Sequence, residues 1–178
     1  MKINDWLYKQ GGRGMNKIVR FFVYWVWQFP QMALGAILVK ILGASKQGII
    51  TKDGRIIIYW YFERNNWFSK FISGVSLAVF ILLSDNNDNE TVEHEHGHSM
   101  QSLYLGWLYL PVIGIYSAVF CNLWDRLFHK DWNGYDRRYW YYKTRWSEKW
   151  ADELGGVDRN GVLARMHRPE NAKWGGAA

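Results

Sequence analysis

Three of the chain's five histidines fall within five positions, in the stretch TVEHEHGHS at residues 91–99. His94 and His98 stand four apart, and residues four apart on a helix share a face. Both imidazoles can then reach one ion, and neutral imidazole binds Zn²⁺ at about 2.0–2.1 Å. Glu95 sits one step around the helix, placed to take a proton from a metal-bound water rather than to coordinate. His96 points roughly to the opposite side and is not counted as a ligand. Gly97 keeps the turn slim, so another element can pack close to the metal. A surface patch that collects metal adventitiously would show the same histidines, and the rest of the chain has to separate the two readings.

A site of this kind needs a third protein ligand and an open fourth position. Downstream candidates are Asp125, His129, Asp131, Asp136, Glu148 and Asp152. Glu148 and Asp152 are themselves four apart within WSEKWADELG, on one face of a helix expected over 146–154 and stopped by Gly155-Gly156. Glu148 can complete a set of two histidines and one glutamate. Asp152 can accept the far N–H of a ligand imidazole, which fixes the tautomer and raises ligand basicity. Alone, these two carboxylates would be an ordinary solvated helix face. Their weight comes from the histidines.

The pair of motifs resembles the glutamate-type zinc peptidases (gluzincins), in which H-E-x-x-H on one helix is joined by E-x-x-x-D on a later one. The form E-x-x-A-D-x-x-G, here residues 148–155, is similar to that of the membrane-embedded heat-shock and prenyl-protein peptidases. HEHGHSMQSLYLGWLYL is also similar to segments of small uncharacterised bacterial proteins that share these motifs. The resemblance covers residues 74–156 and implies a zincin-like α+β fold, mostly helical, with a small sheet before the active-site helix. It implies Zn²⁺ held by His94, His98 and Glu148, Glu95 as general base, Asp152 behind a ligand histidine, and a protein or peptide substrate. The segment GVSLAVFILL corresponds to the edge strand that zincins place before that helix.

The elements that must position these residues follow from pattern. Residues 1–14 form a flexible basic lead, and a single domain is expected over 15–156. An apolar helix over about 16–42 is kinked at Pro30 and ends at Gly43. Residues 49–62 carry Asp53-Gly54 between β-branched and aromatic runs, a hairpin signal with a type I′ turn. Residues 74–83 form one strand. The acidic run at 85–90 lacks the glycine and distal glutamate of a calcium loop and is taken as a solvated linker. Thr91 is the expected N-cap of the histidine helix, which runs to about 105. Leu110-Pro111 interrupts an apolar stretch at about 103–128, whose second part begins at Val112. Residues 157–178 are a polar, loosely ordered tail.

Composition sets the surroundings. The chain is 178 residues long and 18% aromatic, with twelve tryptophans and a net charge of +6. One cysteine, Cys121, excludes an internal disulfide and is expected as a buried small hydrophobe. No cleavable signal peptide is recognised. Residues 21–39 carry no charge, nor do 99–124, and both approach the roughly 20 residues of a bilayer span. Membrane association is therefore expected, at a bacterial inner membrane with the basic N-terminus cytoplasmic. A cytoplasmic protein with buried helices is the alternative, supported by Gln28, Pro30 and Gln31 in mid-run. If both runs spanned, the histidines and Glu148 would reach one another only if the second run were re-entrant. The aromatic, basic stretch at 129–145 is expected as an interfacial belt or a lid over the metal rather than a nucleic-acid surface. A zinc-stabilised interaction protein without turnover is the alternative to a peptidase.

Overall fold

The computed structural model describes residues 16–52, 55–63, 68, 73–84, 88–170 and 172. The basic lead, the Asp53-Gly54 turn, the first half of the acidic linker and the end of the tail lie outside them. The mixed α+β class expected from sequence holds: the described residues form seven α-helices and one four-stranded sheet.

The apolar N-terminal run is not one long helix. It forms α1 (Lys17–Phe22), continues as a π-helical turn through Val23–Trp27, breaks at Gln28 and resumes as α2 (Phe29–Ile41). The break precedes Pro30, which sits in the first turn of α2 where its missing N–H costs nothing. Strands β1 (Ser45–Lys52) and β2 (Arg55–Phe62) form the expected antiparallel hairpin, with Lys52 opposite Arg55.

The expected single strand at 74–83 is instead a tight hairpin of β3 (Gly74–Leu77) and β4 (Phe80–Ser84). Ala78, with φ +56°, occupies the turn. That conformation is costly for a residue with a Cβ, and tertiary bonds hold it: Ser99 Oγ donates to the Ala78 carbonyl at 2.9 Å and the Ile58 N–H to that of Val79 at 2.7 Å. Sheet order is β1-β2-β4-β3, with β2 and β4 parallel. β3 is thus an edge. Ile57, Ile81, Leu82 and Leu83 are fully buried in the sheet's core.

α3 (Asn89–Leu105) carries the histidines. Its N-cap is Asp88 rather than Thr91: the Asp88 carboxylate accepts from the Thr91 N–H at 2.8 Å. After a 3₁₀ turn (Gly106–Leu108) the chain bends by 118° and runs on through π-helical turns at Leu110–Gly114 and Ser117–Leu123 into α4 (Trp124–Phe128). Among the described residues no single helix is long and apolar enough to cross a membrane. α5 (Gly134–Thr144) and α6 (Trp146–Gly155) follow, and Gly156 at φ +78° ends α6 as expected. Part of the expected tail is ordered as α7 (Arg159–Arg165), capped by Asp158.

Candidate metal centre

α3 and α6 run antiparallel in backbone contact. A Cβ on Gly97 would lie 1.8 Å from the Ala151 carbonyl oxygen, and one on Gly155 would lie 2.1 Å from that of Glu93. Only glycine permits either approach. The crossing brings the facing side chains of the two helices into one buried cluster: His94, His98, Glu148 and Asp152 are each 9% exposed or less.

His94 Nε2 lies 3.1 Å from Glu148 Oε2, and His98 Nε2 lies 3.3 Å from the same oxygen. Atoms held at about 2.0–2.1 Å around a tetrahedral ion stand about 3.3–3.4 Å apart. Two edges of the trio therefore already have the spacing an ion of that size requires, and the ligand atoms all lie within 4.8 Å of one another.

Hydrogen bonds behind the histidines fix which nitrogens face inward. His94 Nδ1 sits 2.6 Å from Asp152 Oδ1. A carboxylate only accepts, so Nδ1 carries the hydrogen. His98 Nδ1 sits 2.8 Å from Gln101 Oε1, whose amide nitrogen donates to the Ser147 carbonyl at 2.7 Å. That second bond orients the glutamine and again puts the hydrogen on Nδ1. Both Nε2 atoms then converge on the Glu148 carboxylate, as N–H donors when protonated or, with their lone pairs free, around a shared cation. Facing lone pairs and an anion repel unless a positive charge lies between them.

Electrostatics agree. Burial works against charging His94, yet hydrogen bonds to Asp152 and Glu148 outweigh it and push its pKa up to about 10. His98 is raised as well, again against burial, by Glu148. Despite its burial, Glu148 is held well below the usual carboxylate range by His98 and His94. Asp152 is lowered, also against burial, by His94 and Arg159. The pocket favours positive charge on or between these groups, and a buried His94, His98, Glu148 group can supply a metal ion with two nitrogens and an oxygen.

Glu95 stands beside this group without joining it. Ser76 Oγ lies 2.8 Å from its Oε2 and 2.6 Å from its backbone oxygen. Gly74 makes room for the carboxylate, since a Cβ there would meet Glu95 Oε1 at 2.6 Å. His96, as expected, is turned away: its Nε2 bonds the Tyr59 hydroxyl on the sheet. The other proposed third ligands are engaged elsewhere. Asp125 pairs with Arg145 and lies 3.1 Å from His129 Nδ1, Asp136 accepts from Asn133 at 2.8 Å, and Asp131 is exposed.

A cleft of about 280 Å³ opens over the trio. Gly74 and Ser76 of β3 line one side, Ile113 and Ser117 of the bent segment the other, and Tyr141 of α5 joins them. Sequence reasoning missed four supporting residues. Gln101 was findable, three positions after His98 on the same helix. Ser76, Ser147 and Arg159 carry no local signal. Arg159 grips Asp152 with both Nε, at 2.9 Å, and Nη2, a two-point contact that stiffens the carboxylate behind His94. Partners at this remove usually tune metal affinity by about 10–100-fold. Asp152→Ala is expected to weaken metal binding within that range, and Arg159→Met to weaken it by up to about tenfold. Competitive titration against a chromogenic chelator checks both; unchanged affinity in Asp152→Ala would mean the carboxylate does not orient His94.

No protein family, characterised protein sequence or solved structure matches this chain.

Proposed function

We propose that the protein is a zinc-dependent metallopeptidase of the gluzincin type, with a zincin-like arrangement of β3, α3 and α6. The observation that carries this reading is the division of labour in the cleft. Two imidazoles and Glu148 converge closely enough to hold one ion, while Glu95 lines the same cleft from the adjacent position outside that group. Two histidines and a glutamate are a known donor set of catalytic zinc. Zinc held there supplies a Lewis acid and lowers the pKa of water to about 7.

The protein's own groups account for the remaining requirements. Glu95 removes the proton from the attacking water and returns it to the leaving amine nitrogen. Ser76 and Gly74 hold its carboxylate in place. The substrate lies along β3. Ser84 N–H bonds Ser73 O at 2.9 Å, so residues 73, 75 and 77 turn their backbone groups to β4, and Gly74 and Ser76 turn theirs to the open side. There Tyr109 already donates to the Ser76 carbonyl at 3.0 Å. An extended peptide can pair with the groups that remain, as edge strands allow.

A structural metal in an inactive interaction protein is the competing reading. It requires a closed site, and the cleft lined by His94, Glu95, His98 and Glu148 speaks against it. The test is elemental analysis of the purified full chain beside hydrolysis of unfolded casein. About one zinc per chain, with cleavage stopped by chelation and restored by zinc, is the expected outcome. A stoichiometric metal with no cleavage of casein or of a peptide library would support the structural reading. Stoichiometric iron instead of zinc would redirect the proposal to oxygen chemistry, which the same donor set also serves.

A further inference from the structure

The N-terminal helices are inside out. Gln28 and Gln31 are 2% and 0% exposed, while Trp25 and Phe29 are 56% and 47% exposed. A helix on a water-facing surface shows the reverse pattern. The glutamines are anchors: Gln28 Nε2 donates to Ser102 Oγ at 2.9 Å and Gln31 Nε2 to the Gly106 carbonyl. Outward from them the surface is apolar, including Ile18 and Ile37.

The bent segment after α3 continues this face. Trp107 Nε1 donates to the Val26 carbonyl at 2.6 Å, and Trp27 Nε1 to that of Leu103 at 2.8 Å. These bonds stitch the two apolar regions together. Val112, Ile115, Val119, Phe120 and Leu123 are all exposed on the second one. Every exposed large apolar side chain among the described residues belongs to residues 18–41 or 107–128, except Ile49, Ile50 and Trp146. A face of this kind far exceeds the scattered apolar exposure of soluble surfaces.

Charge says what covers it. Residues 15–52 contain Lys17, Arg20, Lys40, Lys46 and Lys52, the last paired with Glu93 at 2.5 Å, and no carboxylate, and residues 97–124 contain no charge at all. A second protein surface would have to be both apolar and acidic. An anionic bilayer offers both at once. No single helix among the described residues is long and apolar enough to cross, and the one pair that is long enough together, Asn89–Leu108 with Leu110–Phe120, is bent by 118° at its break.

We propose that α1, α2 and the 107–128 segment lie in the plane of one leaflet of an anionic bilayer, with their tryptophans at headgroup level, and do not cross it. The segment that presents Ile115 to lipid also turns Ile113 and Ser117 into the metal cleft. Docking therefore sets that cleft at the membrane surface.

The test uses the full chain, purified in detergent and mixed with phosphatidylcholine vesicles with and without phosphatidylglycerol. Flotation with the anionic vesicles, at least about tenfold above the neutral ones in low salt, is expected. Tryptophan fluorescence should be quenched more by lipids brominated near the headgroup than by lipids brominated at the chain ends. The triple variant Ile18→Ser, Ile37→Ser, Ile115→Ser should float at least about tenfold less while keeping its metal, because none of the three side chains is buried in the fold. Failure of the wild type to float with either vesicle overturns the proposal. So does stronger quenching from chain-end bromine, which would mean crossing, or a detergent-free dimer whose copies bury the apolar face. None of these readouts depends on turnover, so a failed casein assay and a failed flotation are separate results.

Discussion

Replacing Glu95 by glutamine is expected to lower peptide hydrolysis by about 10²–10⁴-fold, the usual contribution of a positioned general base, and to leave one metal per chain. The carboxylate sits outside the trio of ligand atoms, so losing its charge removes no ligand. Glutamine has nearly the same shape, and its carbonyl oxygen can still accept from Ser76 where Oε2 does now at 2.8 Å. It cannot accept a proton from water. His98→Ala supplies the contrast, because it removes a ligand nitrogen and should abolish metal binding and hydrolysis together. Elemental analysis and casein hydrolysis on both variants separate the roles. Full activity in Glu95→Gln would sink the general-base assignment. Loss of metal in that variant would instead place Glu95 among the ligands or its supports.

The part of this site that sequence exposes is the part governed by helical period. His94, His98, Glu148 and Asp152 are two pairs spaced by four, and that spacing fixes the face of a helix before any tertiary structure is known. The hairpin of β1 and β2 is legible for the same local reason, since Asp-Gly suits the positive φ of a tight turn. The turn between β3 and β4 is not. GVSLAVFILL has no turn residue after its glycine, and Ala78 is bent into the left-handed region by bonds from Ser99 and Ile58, residues 21 and 20 positions away. The N-terminal run misleads in a similar way. Pro30 is the obvious breaker, yet the chain breaks at Gln28, where Trp27 and Gln28 reach α3 through side-chain bonds. Gln28 and Gln31 in mid-run suggest a water-compatible helix only while their direction is unknown; they face inward. Arg159 lies past the motif and is linked to it by a contact that no spacing rule anticipates.

Gly97→Ala is the second large effect expected, and its sign is diagnostic. At an ordinary position inside a helix, alanine is about 0.8–1.0 kcal/mol more favourable than glycine. Here the added Cβ would lie 1.8 Å from the Ala151 carbonyl oxygen, so the helices must separate. Overpacking of a tight core costs about 1–3 kcal/mol, and a rigid backbone obstacle puts this case at the upper end. For a chain of this size that corresponds to a fall in Tm of roughly 6–12 °C. The same separation carries Glu148 away from Nε2 of both histidines, now 3.1 and 3.3 Å distant, so metal affinity should fall with stability. A second substitution tells backbone from side-chain crowding. Ala151→Gly removes a methyl but leaves the carbonyl, and it should not rescue Gly97→Ala. Thermal melts and metal titration of the single and double variants measure this. A Gly97→Ala protein as stable as wild type, with unchanged metal binding, would mean that α3 and α6 do not meet at that carbonyl and that the site's geometry is set some other way.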